Sequence, residues 1–357
     1  MITKLTIKNM RCFKEFTING ITRLTLISGV NGVGKSTLLE SLLLLIDHKS
    51  PDVFAKLNSF RGNLFLSNTI QRLWEPLFSE MDTTNELVIA AQDHNETKTF
   101  RLQKNKTVTM VQTENYQDIN NDIQKKFPPF FSNHYQLNFT YHHGDYEEKG
   151  CYFAGNGSMT IQFDSPPRQD RFYVYPISSH VMVLPNLISE WFGKIELSGK
   201  KKILIDVLRV LNPNIKDLFT VIVDGVGYIY VIDITDKKLP LREMGDGINK
   251  LLLISLTMIA NPECIVLIDE VENGFHYSFH ADFWKLMDKL TAETDCQILA
   301  TTHSYECIRG AVNGVTENGN NTSLGFIRLE EEKGKIIPHI FTKEMLEFAV
   351  NSQMEVR

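Results

Sequence analysis

The sequence predicts an α/β fold with a mixed β-sheet core, an antiparallel β edge and a β-rich, partly helical insertion. Near the amino end, the apolar strand Leu24–Ile27 leads through a glycine-rich turn into a helix from about Lys35 to Ile46. Near the other end, two further apolar strands, Cys264–Ile268 and Gln297–Thr301, flank a helix. We therefore expect both ends of the chain to build one α/β core, to which the intervening residues are added.

The composition is that of a globular protein. The chain has 357 residues, 43% of them hydrophobic, which is enough for a full core and for two lobes. No stretch approaches the roughly 20 uninterrupted apolar residues of a membrane helix, and the first residues lack the layout of a signal peptide. The five cysteines form no CxxC pair, which disfavours a zinc site or a disulfide framework. We expect a cytoplasmic protein with free thiols and no membrane contact.

The charge distribution bears on nucleic-acid binding. A net charge of −6 disfavours a surface built wholly for nucleic acid, although a local basic patch is compatible with it. The run Lys200–Lys202 and the pair Arg168 and Arg171 fit contacts with a phosphate backbone, but they also fit solvated helix ends, which are the commoner case. DNA is therefore left open as a partner.

The pattern along the chain divides it into five segments. Residues 1–50 hold the first strand, glycine turn and helix of the core, and residues 51–180 form the insertion. Residues 181–240 form a helical lobe followed by a hairpin. Residues 241–345 return to the α/β rhythm and complete the core, and residues 346–357 are a tail.

Local patterns place further elements within these segments. A helical stretch from about Leu184 to Val210 is predicted to break near Gly193 and Gly199, and a hairpin is expected to turn at Asp224–Gly225. Within the insertion, short strands are predicted at Glu86–Ala90, Phe100–Leu102, Val108–Val111 and Phe172–Tyr175.

The strongest single motif is Gly29–Ser36, which matches the phosphate-binding pattern GxxxxGK[ST] (Walker A) at every fixed position. A chance glycine turn is the alternative, but the motif stands between a predicted strand and a predicted helix, as a phosphate-binding loop does. Backbone N–H groups of such a loop surround the β-phosphate, and the helix N-terminus adds partial positive charge. Lys35 is expected to reach the β- and γ-phosphate oxygens, and the Ser36 hydroxyl to bind Mg²⁺. We predict that ATP contacts Asn31, Gly32, Val33, Gly34, Lys35, Ser36 and Thr37.

A pair of carboxylates follows the apolar strand Cys264–Ile268, in the manner of a Walker B motif. Asp269 is expected to hold Mg²⁺ directly or through water, and Glu270 to polarise the attacking water as the catalytic carboxylate. The alternative is a strand that merely ends in acidic residues at the surface. The complete phosphate-binding loop earlier in the chain favours the catalytic interpretation.

Two further motifs flank these carboxylates. Thr301–Ser304 follows the next apolar strand, and its imidazole, His303, is a candidate γ-phosphate sensor, although a single histidine after a strand is often only structural. Met244–Gly247 stands just before an apolar helix, where two glycines would open a helix N-terminus to an anion. The alternative interpretation of the latter is a plain turn in which Asp246 caps the helix.

Taken in order, these motifs resemble those of AAA-type ATPases with ABC-like heads. The order matches Walker A, signature, Walker B, D-loop and switch histidine, between about Leu24 and Ser304. The likeness is closest to the AAA ATP/GTP phosphatase group and the ATPase part of the overcoming-lysogenization-defect (OLD) nucleases, in whose style Asp269–His276 reads Asp-Glu-x-Glu-Asn-Gly-x-His. The resemblance implies an ABC-ATPase-head P-loop fold that uses ATP and Mg²⁺.

The resemblance also implies a homodimer. In the family, ATP is sandwiched between the P-loop of one protomer and the signature segment of the other. Gly245 and Gly247 are therefore expected to act across the dimer, with Asp246 between them in the nucleotide-contacting segment. Chains of this style also resemble the ATPase half of bacterial two-protein phage-defence or restriction modules, which implies a separate effector protein.

Two departures from related families narrow the function. The signature reads Met-Gly-Asp-Gly where transporter ATPases have Leu-Ser-Gly-Gly-Gln, and no Q-loop glutamine is evident, so coupling to a transporter is disfavoured. No DxD metal motif follows His303, so the nuclease activity of a Toprim domain is not expected in this chain.

The leading hypothesis is an ATP hydrolase that works as a switch or motor subunit, in a phage-defence or DNA-related complex. Three alternatives stay open. They are an ATP-binding dimerisation module with little hydrolysis, a P-loop kinase acting on a small molecule, and a transporter-type ATPase subunit.

Overall fold

The structure, a computed structural model, contains three β-sheets and eight α-helices in the residues that it describes, which are 1–62, 74–93, 96–104, 135–155, 158–168, 173–178, 185–317 and 324–352. The strands in chain order are β1 Lys4–Met10, β2 Phe13–Asn19, β3 Leu24–Gly29, β4 Leu87–Gln92, β5 Thr97–Lys104, β6 Tyr135–His143, β7 Tyr146–Gly155, β8 Ser158–Phe163, β9 Val174–Ile177, β10 Ile215–Val223, β11 Val226–Asp233, β12 Lys238–Pro240, β13 Ile265–Ile268, β14 Gln297–Thr301, β15 Leu324–Glu332 and β16 Lys335–Phe341. The helices are α1 Lys35–Ile46, α2 Val53–Phe60, α3 Pro185–Leu197, α4 Lys201–Leu211, α5 Asp246–Ala260, α6 His280–Thr294, α7 Tyr305–Glu317 and α8 Lys343–Asn351.

The central sheet has six strands in the order β16-β15-β3-β14-β13-β9. All neighbouring pairs are parallel except β15 and β16, which pair antiparallel at one edge. The predicted mixed sheet with an antiparallel edge is therefore confirmed. Because β3, β14 and β13 are parallel neighbours, the loops that follow them meet at one edge of the sheet, and this edge carries the predicted phosphate loop, His303 and the two carboxylates.

Strands β3, β13 and β14 are buried on both faces of the central sheet. Their alternate residues point to opposite faces, and each face packs into its own core. Leu26, Val266 and Ala300 pack into a core shared with helices α3 to α7, whereas Ile27 and Leu299 pack into a second core. The second core also takes in the leucines of α1 and the inner face of the large antiparallel sheet. Helix α1 lies between the two sheets, and most of its surface is apolar for this reason.

The large antiparallel sheet has seven strands in the order β2-β1-β4-β5-β6-β7-β8. Strands β1 and β2 come from the predicted segment 1–50, whereas β4 to β8 come from the segment 51–180, and β9 of that same segment pairs with β13 in the central sheet. The segments along the chain are therefore interleaved in space, and their division into domains stays a proposal.

A buried contact between His48 and Glu148 ties the carboxyl end of α1 to this antiparallel sheet. His48 and Glu148 are almost fully buried, and His48 Nε2 lies 3.1 Å from Glu148 Oε1. The hydroxyl of Tyr146 donates to the other carboxylate oxygen at 2.8 Å, and the Lys49 ammonium lies 3.3 Å from it. Burial acts to raise the pKa of Glu148, but the hydrogen bonds from His48 and Tyr146 and the charge of Lys49 outweigh it and lower the pKa.

The segment 181–240 forms a lobe in which α3 and α4 pack beside the three-stranded antiparallel sheet of β10, β11 and β12. The predicted break at Gly199 is present between α3 and α4, but the predicted break at Gly193 is wrong. Gly193 lies inside α3 with open space around it, and the apolar face of this helix, with buried Trp191 and Ile195, continues past it. No helix in the described ranges is long and apolar enough to cross a membrane.

The sequence pattern missed some strands of the segment 51–180 and predicted others with bounds that differ from those observed. The predicted strands near residues 86–90 and 100–102 correspond to β4 and β5, and the fourth corresponds to β9, which begins at Val174. The strand predicted at 108–111 lies outside the described residues. Strands β6, β7 and β8 were not predicted, because polar and charged residues interrupt their apolar pattern, and one of these, Glu148, is buried.

Gly310 and Gly314 let α7 pack closely against α6. Gly314 provides a stability test of this packing. A Cβ added at Gly314 would lie 2.2 Å from the carbonyl oxygen of Ala281. We expect Gly314→Ala to lower the free energy of unfolding by about 1–3 kcal/mol, because the helices must separate. The matched control is Gly193→Ala, where nothing lies within 4 Å, and we expect that change to raise it by about 0.5–1 kcal/mol. Urea unfolding measures both, and equal effects would contradict the close packing.

Candidate active site

The predicted phosphate loop joins β3 to α1 and has the backbone that such a loop needs. Gly34 is the N-cap of α1 in a left-handed conformation (φ 99°), and no acidic residue lies in the first turn of the helix. A Cβ at Gly34 would lie 2.7 Å from the Phe13 ring and 2.8 Å from the Cys12 sulfur, so only glycine fits. The first turn of α1 therefore presents its N–H groups without a capping side chain, as an anion-binding helix N-terminus does.

Lys35 lies over this loop. Its ammonium donates hydrogen bonds to the carbonyl oxygens of Gly29, at 2.5 Å, and Val30, at 3.0 Å. Burial lowers the pKa of Lys35, and the attraction of Asp269 and the neighbouring carboxylates opposes that shift. The ammonium is thus held over the loop by two carbonyl oxygens, within the field of the acidic residues across the site.

Asp269 joins three strands of the central sheet through its two carboxylate oxygens. One oxygen accepts a hydrogen bond from the Ser36 hydroxyl at 2.8 Å, and the other accepts one from the Thr301 hydroxyl. Burial raises the pKa of Asp269, and these two hydrogen bonds oppose the shift. Asp269 follows β13, Thr301 ends β14, and Ser36 follows the loop after β3, so this one side chain fixes the spacing of all three.

The oxygens of Ser36 and Asp269 fit a Mg²⁺ ion. Both are hard oxygen donors, the kind of ligand that Mg²⁺ takes, and they lie 2.8 Å apart. Adjacent ligands of an octahedral Mg²⁺ ion with bonds of about 2.1 Å are separated by about 3 Å. The donor set and its spacing are therefore compatible with a Mg²⁺ ion.

Glu270 is held in an uncommon backbone conformation. Its φ of 49° lies in the left-handed region, which a non-glycine residue rarely adopts and which is often retained at functional sites. Its N–H donates to the Thr301 hydroxyl at 2.9 Å, and its carboxylate accepts a hydrogen bond of 2.7 Å from the Asn273 side chain. The backbone of Glu270 is therefore held by Thr301 and its side chain by Asn273, an arrangement compatible with a general base.

His303 lies beside an acidic partner that the sequence analysis left without a role. Its Nδ1 is 3.1 Å from Glu272 Oε1, and its backbone N–H donates to the same oxygen at 3.0 Å. The carboxylate favours the tautomer with the proton on Nδ1 and fixes the ring orientation. The Nε2 of the half-exposed ring is then the nitrogen through which His303 would contact a phosphate.

The Met244–Gly247 segment lies against the turn that follows Glu270 in the same chain. A Cβ at Gly247 would lie 2.6 Å from the carbonyl oxygen of Gly274, so this glycine allows a close backbone approach. Gly245, with φ 100°, is the N-cap of α5, and Asp246 is the first helical residue. The alternative in which Asp246 caps the helix is therefore wrong. The predicted contact of this segment with a nucleotide on a second subunit stays a prediction.

Four residues of this site received no role from the sequence pattern: Thr301, Glu272, Asn273 and Lys250. The first three were recognised only as letters of motifs, because their hydrogen bonds join residues that only the fold brings together. Lys250 belongs to no motif of the sequence. In the structure its ammonium reaches the carbonyl oxygens of the turn that carries Glu270, at 2.9–3.2 Å, and burial lowers its pKa to about 8.

Thr301 provides a test of this geometry. Thr301→Val keeps the shape of the buried side chain but removes both hydrogen bonds, leaving the Glu270 N–H without its acceptor. We expect a loss of about 1–3 kcal/mol in the free energy of unfolding and a fall of about 10- to 100-fold in nucleotide turnover. The control is Thr257→Val, in which a buried hydroxyl that donates only to the Leu253 carbonyl within α5 is removed. Full turnover by the Thr301 variant would contradict its role at Asp269.

The chain is similar to known nucleotide-hydrolysing and ATPase-head proteins along nearly its whole length. The chain is 25% identical over 373 residues to an "ATP/GTP phosphatase" of Helicobacter pylori, and the alignment covers 98% of this chain and 97% of that protein. Among solved structures, it is similar to the Smc head domain of a complex with the ScpA C-terminal domain derived from Pyrococcus furiosus, with a TM-score of 0.50 and 11% identity over 99% of both chains. The SMC head domain from Thermotoga maritima gives a TM-score of 0.42 and 13% identity over 95% of this chain and 98% of that one.

The family follows from a match that spans most of the chain. The family model described as "AAA ATPase domain" matches residues 1–163 and 183–308, which include every motif of the site from Gly29 to His303. The predicted family and the predicted ABC-ATPase-head P-loop fold are both confirmed. The chain is an ATPase that belongs to the AAA ATPase domain family.

Proposed function

We propose that the chain is a Mg²⁺-dependent ATP hydrolase that closes two copies of itself around bound ATP. The single observation that carries the hydrolysis is the placing of Glu270. It stands directly after Asp269, which Ser36 and Thr301 hold, and its own carboxylate is oriented by Asn273.

The phosphates of ATP are expected to bind the loop that precedes α1. The N–H groups of Gly32 to Thr37 would surround the β-phosphate, and Lys35 would exchange its two carbonyl partners for phosphate oxygens. Ser36 and Asp269 would hold a Mg²⁺ ion, which would supply positive charge to the bound phosphates. His303, oriented by Glu272, would contact the γ-phosphate through Nε2.

Glu270 is the proposed general base. Its carboxylate would accept a hydrogen bond from a water molecule and take a proton as the water oxygen attacks the γ-phosphorus. The bond between the γ-phosphorus and the bridging oxygen breaks, and ADP and inorganic phosphate leave. The Asn273 amide holds one carboxylate oxygen of Glu270 and leaves the other free to face the water. The related "ATP/GTP phosphatase" suggests that GTP is also accepted.

The dimer is proposed from the exposed amino end of α5. Gly245 and Asp246 are exposed, and nothing lies within 4 Å of a Cβ added at Gly245. Gly245 is the N-cap and has no side chain to bind the first N–H groups of α5, while Asp246 places one carboxylate in the first turn. This N-terminus is therefore open to an anion from outside the chain, and the γ-phosphate on a second copy is the anion that the family arrangement would bring there. Val30 on the phosphate loop is 64% exposed, so the loop is also accessible from outside.

The setting proposed for this activity is an ATPase subunit of a bacterial phage-defence or DNA-related complex that acts with a separate effector protein, in the cytoplasm. The support is the resemblance of the motifs to those of such modules. Pull-down of tagged protein from the native host, with and without a non-hydrolysable ATP analogue, tests it, because an effector should be retained in a nucleotide-dependent way.

Hydrolysis is tested with Glu270→Gln. We expect steady ATP turnover to fall at least about 100-fold while nucleotide binding persists, because the amide cannot accept the proton. The control is Glu263→Gln, at an exposed glutamate of similar backbone conformation (φ 63°) next to the opposite end of β13. If wild-type protein forms ATP-dependent dimers but releases negligible phosphate in a single turnover, the dimerisation module with little hydrolysis replaces this proposal.

The dimer is tested with Gly245→Leu in a Glu270→Gln background. With Mg²⁺ and ATP, light scattering should show the Glu270→Gln protein at twice the monomer mass, and the Gly245 variant should stay monomeric because its side chain blocks the helix N-terminus. Gly199→Leu is the matched control, since this glycine also has a positive φ and nothing within 4 Å of an added Cβ. Dimers of the Gly245 variant would show that the segment does not face the second nucleotide.

A further inference from the structure

Lys250 connects the signature segment to the catalytic turn of the same chain. It lies on α5, about one helical turn after Gly247. Its ammonium donates to the carbonyl oxygens of Glu270 at 2.9 Å, Val271 at 3.2 Å and Asn273 at 3.0 Å. A lysine ammonium has three N–H donors, and each of them has one partner here.

The turn that Lys250 binds holds the groups that orient the general base. Residues 270–273 contain Glu270, with its left-handed backbone, and Asn273, whose side chain binds the Glu270 carboxylate. Carbonyl dipoles that converge on one point repel one another, and the ammonium of Lys250 compensates them. The same ammonium lies 5.7 Å from the centre of the Phe275 ring, so an aromatic face covers its other side.

A second contact joins the amino end of α5 to the same turn. Gly247 lies so close to Gly274 that a Cβ there would be 2.6 Å from the Gly274 carbonyl oxygen, and Gly274 also packs against Asp246. The amino end of α5 and the turn 270–275 therefore touch through backbone at one point and through Lys250 at another. Two such contacts, one turn of helix apart, prevent α5 from shifting or rotating without carrying the turn with it.

We propose that Lys250 is a positioning residue that transmits capture of a phosphate at the amino end of α5 to Glu270 in the same chain. The inference rests on the proposed ATP-dependent dimer. In that dimer, the segment Met244–Gly247 of one protomer would contact the nucleotide bound to the partner. Lys250 would then place Glu270 of the same protomer beside the nucleotide that this protomer binds. Hydrolysis at each of the two sites then depends on closure at the other.

The first test separates positioning from simple folding. Lys250→Met keeps the length and apolar stem of the side chain and removes the charge. We expect binding of a fluorescent ATP analogue to remain within about twofold of wild type, whereas kcat falls at least about 30-fold with little change in KM, because a base misplaced by about 1 Å costs about 100-fold. Lys202→Met, at an exposed lysine on α4, is the control. A kcat within threefold of wild type would overturn the inference.

A double-mutant cycle with Asn273→Ala adds a measurement that a merely structural residue would not affect. If Lys250 acts through the turn, the two changes together should reduce kcat about as much as the worse of them alone. Multiplied losses would show that Lys250 acts elsewhere. Should Lys250→Met fail to fold, Lys250→Arg decides, because a planar guanidinium keeps the charge but cannot supply three converging donors. We expect at least a fivefold loss of kcat, and full activity would reject the positioning role.

Hydrogen exchange distinguishes failure of this inference from failure of the proposed dimer. In the Glu270→Gln background, ATP should slow exchange in peptides covering both residues 244–250 and residues 270–275. Adding Lys250→Met should keep the protection of the first peptide and remove that of the second. Protection of both would refute transmission through Lys250 and leave the dimer intact. No protection of residues 244–250 in either protein would refute the dimer and the inference with it.

Discussion

The hydrogen-bonded junction of Ser36, Asp269 and Thr301 is the constraint on which the site depends. A carboxylate held at the end of a buried strand is costly to desolvate, and hydrogen bonds from two hydroxyls offset part of that cost. Because those hydroxyls come from the elements after β3 and at the end of β14, the same bonds fix three strands relative to one another. Thr301 also connects Glu270 to this junction, since its hydroxyl oxygen accepts a hydrogen bond from the Glu270 N–H.

The two cores explain why this junction stays in place. The strands that carry it are covered on one face by helices α3 to α7 and on the other by α1 and the antiparallel sheet. Neither face meets water, so the residues at the strand ends cannot relax by sliding along the sheet without opening a cavity. The chemical groups therefore sit in short loops on a scaffold that is rigid on both sides, which suits a reaction that depends on placing a water molecule, a base and a phosphate together.

The part of the site that could be predicted from sequence is the part encoded by neighbouring residues. Gly29–Ser36 and the pair Asp269–Glu270 each combine a strand, a turn and a chemical group within a few positions, and their order named the family. The roles of Thr301 and Lys250 could not be predicted, because their partners lie 32 and 20 residues away and the distances exist only after folding. The same limit applied to the sheets. The alternation of buried and exposed residues in β1 is typical of a strand, but it fits the central sheet as well as the antiparallel sheet. Only the pairing of β1 with β4 places it in the antiparallel sheet.

The shared antiparallel sheet has a consequence for how this protein could be engineered or could have changed in evolution. Residues 87–163 look like a module inserted after the first helix, yet β4 is hydrogen-bonded along β1, and Glu148 on β7 is buried against His48 at the end of the phosphate-loop helix. Excising the module would leave β1 with a bare edge and His48 facing an apolar void. The region therefore cannot be exchanged as a cassette.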